Sequence, residues 1–419
     1  MRFPVLFLLI PLSLLGQTKL TLPDALDQAE KLNPSVQQAH LRVLESQAQL
    51  GVTKSAYQPQ IQGVVTGTYA TNNFQGIGLA FPGFPSRVGP YRTFNARPAA
   101  TQTIIDLSLI SDIRAARERA KTAENQQEVT KEETLLAVLQ LYLQALQAES
   151  RVTAADARMK TSEAVLTQTR DLESSGAASK LDIARAEQQL ETDRGLRITA
   201  QQDRDVIVSL LLETIGLEPA PEAVALEAPA RKEGAGSSLE RAELRVAAAQ
   251  VRTGELEKQA ARREYLPKLQ GFGDFGVLGV GPDRSLSTYQ IGAQVTFPIW
   301  TGRRIESEIA AAQARISIAE QELRRAKLRI AQELRQARIE LDATTQATTA
   351  AEKAAAAART TVELARLRFA AGLATNIDTI VAQGRLAEAE DEEIRTRYAH
   401  QLARAKLARA QGNVRGFLE

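Results

Sequence analysis

Cysteine is absent from the 419 residues, and aromatic residues make up only 5% of them. Without cysteine the chain can form no disulfide bond and cannot carry a lipid anchor on a cysteine. The 52 Lys and Arg nearly balance the 50 Asp and Glu, so the net charge of +2 gives no reason to propose nucleic acid as a partner. The scarcity of aromatics beside abundant Ala, Leu, Glu, Gln and Arg is typical of extended helices and coiled coils.

Motifs that carry catalysis are also missing. The sequence contains no GxSxG, no phosphate-binding loop and no HExxH. Its two histidines, His40 and His400, are far apart in helical stretches and suggest ordinary surface positions rather than a metal site. We therefore expect neither an enzyme nor a cofactor nor a bound metal.

Long hydrophobic runs are confined to the first residues. Arg2 precedes an apolar run, Phe3–Leu15, and a small Gly16, which is the outline of a secretory signal peptide over residues 1–16. The run is short for a transmembrane helix, and a buried N-terminal helix is the alternative interpretation. No later stretch has 18 consecutive apolar residues, so any contact with a membrane would have to be made by strands or by a surface.

Proline is absent from two long tracts, between Pro98 and Pro219 and after Pro298. Because proline inside a helix costs about 3 kcal/mol, such tracts can hold long helices, and a helix over 109–173 would be about 100 Å long at ~1.5 Å per residue. Each tract is broken once, at 174–179 and at 370–375. Apolar residues recur in steps of four and three, as in a helix that packs along a neighbour; they are Leu136, Leu139, Leu143 and Leu146 in the first tract and Ile309, Ala312, Ile316, Ala319, Leu323, Ala326 and Ile330 in the second.

The two halves of the chain match each other. Four pairs are each separated by 196 positions, namely Gly176 with Gly372, Asp182 with Asp378, Leu190 with Leu386, and Gly216 with Gly412. This pattern predicts an internal duplication. The first repeat, 17–217, would contain a helix, a strand pair (57–107), a long helix, a tip turn (173–180) and a helix. After a linker (218–237), the second repeat, 238–413, would repeat this order with a strand pair at 267–299 and a tip turn at 370–376.

Each strand pair alternates apolar and polar residues, which predicts two-faced strands. Ile61, Val65 and Tyr69 share one parity, whereas Gln60, Gln62, Thr66 and Thr68 share the other, with Val64 as an exception. A soluble sandwich would show the same alternation, but segments of about ten residues between polar or Gly/Pro-rich loops favour a membrane barrel. Four strands cannot close a barrel alone, so the barrel requires an oligomer.

The sequence resembles the TolC-like outer membrane efflux family over essentially the whole mature chain. The resemblance depends on the order of several motifs together with the duplication; they are LTLPDAL at 20–26, NP at 33–34, YQP at 57–59, YLP at 265–267, FPIWTGRR at 297–304 and AAGLATNID at 370–378. The resemblance implies a homotrimer in which four strands per subunit form a 12-stranded outer-membrane β-barrel. Long coiled-coil helical hairpins would form a periplasmic α-barrel. It further implies a membrane-fusion adaptor protein in the periplasm and an inner-membrane transporter as partners.

The resemblance also implies roles for residues at the helix tips. Gly372-Leu373, and less closely Gly176-Ala177, fall where the family contacts the adaptor; as an alternative, the two glycines serve only as turn residues with positive φ. Asp378 falls at an acidic ring of the entrance, and Asp182 matches it in the first repeat. The position of a second acidic ring is occupied by the apolar Val381, which speaks against a double ring. Both aspartates would also interact favourably with a helix dipole.

Further candidates come from the strands. Tyr289 and Trp300, taken as opposite ends of one strand, are predicted to anchor the chain at the membrane interface, with a place in a soluble core as the alternative. Arg97 and Asp274 would line the barrel lumen or lie at the level of the lipid headgroups.

We therefore expect an outer-membrane exit duct of a tripartite efflux or type I secretion system, a passive conduit in contact with outer-membrane lipid. The alternative is a soluble exported coiled-coil scaffold, which would not need four alternating strands of spanning length. An adaptor protein would need a compact domain between its helices, for which the sequence shows no segment.

Overall fold

The computed structural model describes residues 18–74, 76, 78, 83, 85–176, 178–218, 220, 224–227, 241–371, 373 and 376–418. The expected signal peptide and most of the expected linker lie outside these residues. In chain order the elements are β1 (Thr18–Leu20), α1 (Leu22–Leu32), α2 (Pro34–Ser55), β2 (Gln60–Asn73), β3 (Arg87–Ile105), α3 (Leu107–Ser174), α4 (Lys180–Ile215), β4 (Val224–Leu226), α5 (Ala242–Arg263), β5 (Lys268–Gly279), β6 (Ser285–Thr296), α6 (Arg304–Ala370) and α7 (Asn376–Ala410), followed by a 3-10 turn, Val414–Phe417.

The chain forms two compact units, and each takes residues from both halves of the sequence. The first, here called the helical unit, comprises residues 1–40, 127–242 and 327–419. The second, here called the sheet unit, comprises residues 41–126 and 243–326.

The helical unit has the larger apolar core. Leu26, Leu139, Leu143 and Leu211 are fully or almost fully buried there, and α1, α3, α4, α7 and the C-terminal turn all contribute to this core. A parallel two-stranded sheet of β1 and β4 lies beside it, with Leu20 opposite Leu226. The predicted apolar series in α3 is confirmed, since three of its four leucines are buried and Leu136 packs against them.

The less exposed positions of α6 keep one spacing along the helix. From Ile305 to Phe369 they follow one another in steps of four and three, and this series includes Leu341, Thr344 and Thr348. Such spacing is that of a helix that packs along a neighbour, as in a coiled coil.

The part of α6 around Thr344 is rich in threonine. The hydroxyls of Thr344, Thr345 and Thr348 each donate to the carbonyl oxygen four residues earlier at 2.8 Å, and that of Thr349 does so at 3.1 Å. Such bonds compete with the helix ladder and tend to bend it.

The sheet unit contains an antiparallel sheet of four strands in the order β2-β3-β5-β6. The two hairpins predicted from the sequence meet where β3 pairs with β5, for example Ala96 opposite Val277. Helix α5 packs closely on α6, because a Cβ at Gly254 would lie 3.0 Å from the side chain of Ile316. No described helix is both apolar enough and long enough to cross a bilayer.

Glycines end the helices at matching places in the two repeats. Gly216 (φ +97°) follows α4 and Gly412 (φ +93°) follows α7, both in the left-handed region that glycine adopts without steric cost. The N–H of Gly216 donates to the carbonyl oxygens of Leu212 and Glu213, and that of Gly412 donates to the oxygen of Arg409.

Candidate functional site

The four-stranded sheet has one apolar face. Val65 lies opposite Ala96, Ala96 opposite Val277, and Phe275 opposite Tyr289, so these side chains project to the same side. The apolar side chains of this face are solvent-exposed in the single chain, with Ile61 at 74% and Ile291 at 82%. An apolar surface of this size on one side of a sheet marks contact with another protein or with lipid.

The other face is mainly polar. Its residues include Gln62, Thr66, Asn95 and Gln290, interrupted by the apolar Val64, Phe272, Leu278 and Leu286. The alternation predicted from the sequence is therefore confirmed on both hairpins.

An ion pair joins the two hairpins on the polar face. Arg97 on β3 contacts Asp274 on β5 with 2.8 Å between Nη1 and Oδ1, and its Nε donates to Oδ1 of Asn95 at 2.6 Å. The side chains are 21% and 16% exposed. A Cβ at Gly276 would lie 2.3 Å from both Ala96 O and Arg97 Cβ, so glycine is required where the arginine crosses to the next strand.

The two aromatic residues predicted as interfacial anchors are both exposed, Tyr289 at 77% and Trp300 at 80%. The prediction that they lie at opposite ends of one strand is wrong. Tyr289 lies within β6, opposite Phe275, and Trp300 lies in the segment after the strand has ended at Thr296. The alternation continues into Phe297 without a break, so the sequence gives no signal for where pairing stops.

The first helix tip is a tight turn between α3 and α4. Gly176 has φ +77°, as expected of a turn glycine, and its N–H donates to the carbonyl oxygen of Glu173 at 2.9 Å. Ser179 then caps α4, and its hydroxyl and N–H donate to Oδ2 of Asp182 at 2.6 and 3.0 Å. Asp182 N–H donates back to Ser179 Oγ at 3.3 Å, which completes a capping box.

The capping box also affects the charge of Asp182. Hydrogen bonds from the Ser179 hydroxyl and then from its backbone N–H hold the pKa of this carboxyl below its usual value, with a smaller contribution from Arg185. A lowered pKa means that the cap is complete above the ordinary pKa of aspartate and is lost as the pH falls through the lowered value. Asp182 is therefore ionised at neutral pH.

The second tip lies between α6 and α7. Leu373 is 72% exposed, and its N–H donates to the carbonyl oxygen of Arg368 at 2.8 Å. Asp378 is the third residue of α7, as Asp182 is the third of α4, so the two aspartates occupy the same position in their helices. Gly372 and Ala177, the other residues expected at the tips, lie outside the described residues.

A polar cavity inside the helical unit was not predicted from the sequence. It has a volume of about 190 Å³ and is lined by residues of α3, α4, α6 and α7, including Arg158, Ser162, Asp193 and Gln383. The Ser162 hydroxyl donates to buried Asp193 at 2.5 Å, and Arg158 pairs with Asp391 at 2.9 Å. Ser162 and Asp193 are buried and lie three or four residues from buried apolar residues of the same helix. Polar residues within an apolar series were therefore the sequence signal that could have indicated the cavity.

Metal chemistry finds no support in the part of the chain that the structure describes, since no group of three or more His, Cys, Asp or Glu there could hold an ion. The candidate site consists of surfaces, namely a two-faced sheet and two helix tips with equivalent aspartates.

Solved outer-membrane proteins share this fold. VceC of Vibrio cholerae superposes with a TM-score of 0.80 at 16% identity over 94% of this chain and 96% of that one. The CmeC channel of Campylobacter jejuni gives 0.81 at 18% over 93% and 85%, and the open state of MtrE from Neisseria gonorrhoeae gives 0.76 at 19% over 94% and 89%. At such identities the likeness shows the fold alone.

Sequence comparison supplies the family. No curated protein matches the chain significantly. The family model described as outer membrane efflux protein matches residues 25–217 and 237–413, which is most of the chain. Membership favours a channel of the outer membrane over the soluble scaffold. The chain belongs to the outer membrane efflux protein family.

Proposed function

We propose that three copies of this chain form the outer-membrane exit duct of a tripartite efflux or type I secretion system. The observation that carries the proposal is the sheet, which has one exposed apolar face, one polar face and two strands, β2 and β6, that each pair on one side only among the described residues. Lipid would cover the apolar face, and the polar face would line a water-filled lumen.

The unpaired edges require further copies. In a bilayer every unpaired backbone N–H or C=O costs several kcal/mol, so an open sheet is not stable there. If β2 of one copy pairs with β6 of the next, three copies give a closed barrel of twelve strands, an even number as in other bacterial barrels. Exposed leucines on the helices, such as Leu196 and Leu328, would be covered by the neighbouring copies.

The helix tips form the entrance in this proposal. Asp182 and Asp378 would line its constriction, where ionised carboxylates favour cations. Exposed Leu373, with Gly372, Gly176 and Ala177, would contact a periplasmic adaptor, and the adaptor would connect the duct to an inner-membrane transporter. The chain itself acts as a passive conduit without catalysis, and it opens by untwisting of the helices at the tips.

Fractionation and electrophoresis test the assembly. The native protein should be recovered from the outer membrane and, after extraction in detergent and without heating, should migrate near three times the monomer mass of 45.6 kDa. A monomer or dimer that is recovered without detergent would refute the duct and leave the soluble coiled-coil scaffold as the better account.

Cross-linking tests the pairing of the edges. Because the chain lacks cysteine, cysteines introduced at single positions along β2 and β6 report on a clean background. Oxidation of a matched β2–β6 pair should give covalent trimers, since Cβ atoms of paired strands lie within disulfide reach. The same cysteines placed singly serve as controls and should give no trimer. Absence of cross-linking in every register would contradict closure through these edges.

A further inference from the structure

The segment between β6 and α6, residues 297–303, is unusually apolar for an exposed connection. Ile299 is 88% exposed and Trp300 is 80% exposed, and Phe297 before them is 57% exposed. The segment continues directly from Val295, which belongs to the exposed apolar face of the sheet. Isolated exposed apolar residues are ordinary, but a run that extends an apolar surface marks a contact.

Arg303 ends this segment in an unusual conformation. Its φ of +65° makes it the one residue other than glycine with positive φ among those that the structure describes, and Gly302 before it has φ +63°. The left-handed region costs a non-glycine residue roughly 1 kcal/mol, which glycine would avoid. An arginine at such a position therefore calls for an explanation in terms of its side chain.

The guanidinium of Arg303 also differs from the basic groups around it. Arg304 pairs with Glu264 and Glu308, each at 2.7 Å, and Lys268 pairs with Asp106 at 3.1 Å. For the side chain of Arg303, neither an ion pair nor a hydrogen bond is found within the described part of the chain. Its side chain is exposed beside the apolar segment.

We propose that residues 297–303 form a lipid-docking segment, in which Ile299 and Trp300 lie at the bilayer interface and Arg303 binds the phosphate of a phospholipid headgroup. The inference rests on the outer-membrane function proposed above. An indole is amphipathic and favours the headgroup level. A guanidinium presents a planar fork of donors that matches phosphate oxygens, and it can bind them with two parallel hydrogen bonds.

Tryptophan fluorescence tests this directly, because Trp300 is the only tryptophan in the 419 residues. The detergent-solubilised full chain would be titrated with short-chain phosphatidylglycerol, with the emission of Trp300 as the readout. The variant Arg303→Gly should bind at least about tenfold more weakly, as expected for loss of a charge-assisted bond. Arg303→Lys keeps the charge but not the planar fork of donors, so its lipid affinity should lie between those of the wild type and Arg303→Gly.

A matched control removes the same charge from another loop. Arg284 lies between β5 and β6 and is 78% exposed in its side chain, so Arg284→Gly should leave the lipid affinity unchanged. Without lipid, Arg303→Gly should melt at the same or a higher temperature than the wild type, since glycine relieves the positive φ. Loss of lipid affinity together with unchanged or increased stability is a combination that damage to the fold would not produce.

Several outcomes would overturn the proposal. One is that Arg303→Gly and Arg284→Gly weaken lipid binding equally, and another is that inorganic phosphate binds as tightly as the lipid. A third is that the Arg303→Gly trimer melts at a lower temperature than the wild type, which would place an acidic group of a neighbouring copy on Arg303. Brominated phospholipid in reconstituted vesicles separates this inference from the proposed function. Quenching of Trp300 with no effect of Arg303→Gly would refute the phosphate contact alone, whereas absence of quenching would also refute the membrane placement.

Discussion

Replacement of Tyr142 by phenylalanine tests how the helical unit holds its two short strands. Tyr142 is completely buried in α3, and its hydroxyl lies 2.8 Å from the carbonyl oxygen of Leu20 and 2.7 Å from that of Glu227. The same hydroxyl accepts the N–H of Glu227 at 3.1 Å. It therefore joins the end of β1 to the residue after β4, through a single atom.

The expected cost follows from which groups lose their partner. Phenylalanine keeps the ring and its packing, so almost no cavity arises. Leu20 is buried, and a buried carbonyl without a donor costs about 1–3 kcal/mol, whereas water can reach the backbone of exposed Glu227. We expect Tyr142→Phe to destabilise this region by about 2 kcal/mol, which corresponds to an increase in local opening of roughly 30-fold.

Amide hydrogen exchange measures this opening. The amides of β1 and β4 should exchange roughly 30-fold faster in Tyr142→Phe, whereas those of the sheet unit should not change. Tyr398→Phe is the matched control. Among the residues that the structure describes, its hydroxyl contacts only Ser150 Oγ, at 3.0 Å, and Ser150 keeps its bond to the carbonyl oxygen of Leu146. Equal effects of the two variants would refute the assignment of Tyr142 as the link.

The dependence on pH provides a second readout of the same group. Burial raises the pKa of Tyr142 from about 10 to about 12. The stability that the neutral hydroxyl contributes is therefore fully present below pH 10 and is lost as the pH rises towards 12. The difference in melting temperature between wild type and Tyr142→Phe should shrink across this window and stay constant below it.

Three further experiments test other features. Gly216→Ala should destabilise the chain by more than about 1 kcal/mol in thermal melts, because a Cβ there would lie 2.6 Å from Leu32 O. Gly195→Ala is the control, since this glycine lies at an open helix position, and it should stabilise the chain by roughly 0.5–1 kcal/mol. Asp182→Asn should lower the cation preference of the channel, read as the reversal potential in planar bilayers under a salt gradient; an unchanged potential would contradict its place at the constriction. Arg97→Met should lower the melting temperature, since it leaves Asp274 unpaired, and the double variant with Asp274→Leu should recover most of the loss; no recovery would show that the arginine acts through packing rather than through the pair.

Local pattern predicted most of the elements. Absence of proline together with steps of three and four indicated α3 within two residues of each end and α6 as far as its tip turn, and alternation indicated all four long strands. These features depend on neighbours in sequence, which is why composition and spacing report them. The matching glycines after α4 and α7 were visible for the same reason, because a helix end imposes its φ locally.

Features that depend on distant residues were missed. Strand β1 forms only because β4, about two hundred residues later, supplies a partner, and three residues of either strand carry no pattern of their own. The pairing of Arg158 with Asp391, and the cavity beside it, likewise require the packing of helices from both repeats.

The regular spacing along α6 has a mechanical consequence. A long helix whose less exposed positions keep one spacing transmits torque along its length, whereas an abrupt phase shift would divide it into two rods in series. The hydroxyl of Thr348 also donates to the carbonyl oxygen of Thr396, so α7 is attached to α6 at this level. A rotation applied near the end of α6 at Ala370 would thus be passed along both helices, and the twisting proposed for opening would involve much of α6 rather than only its last turns.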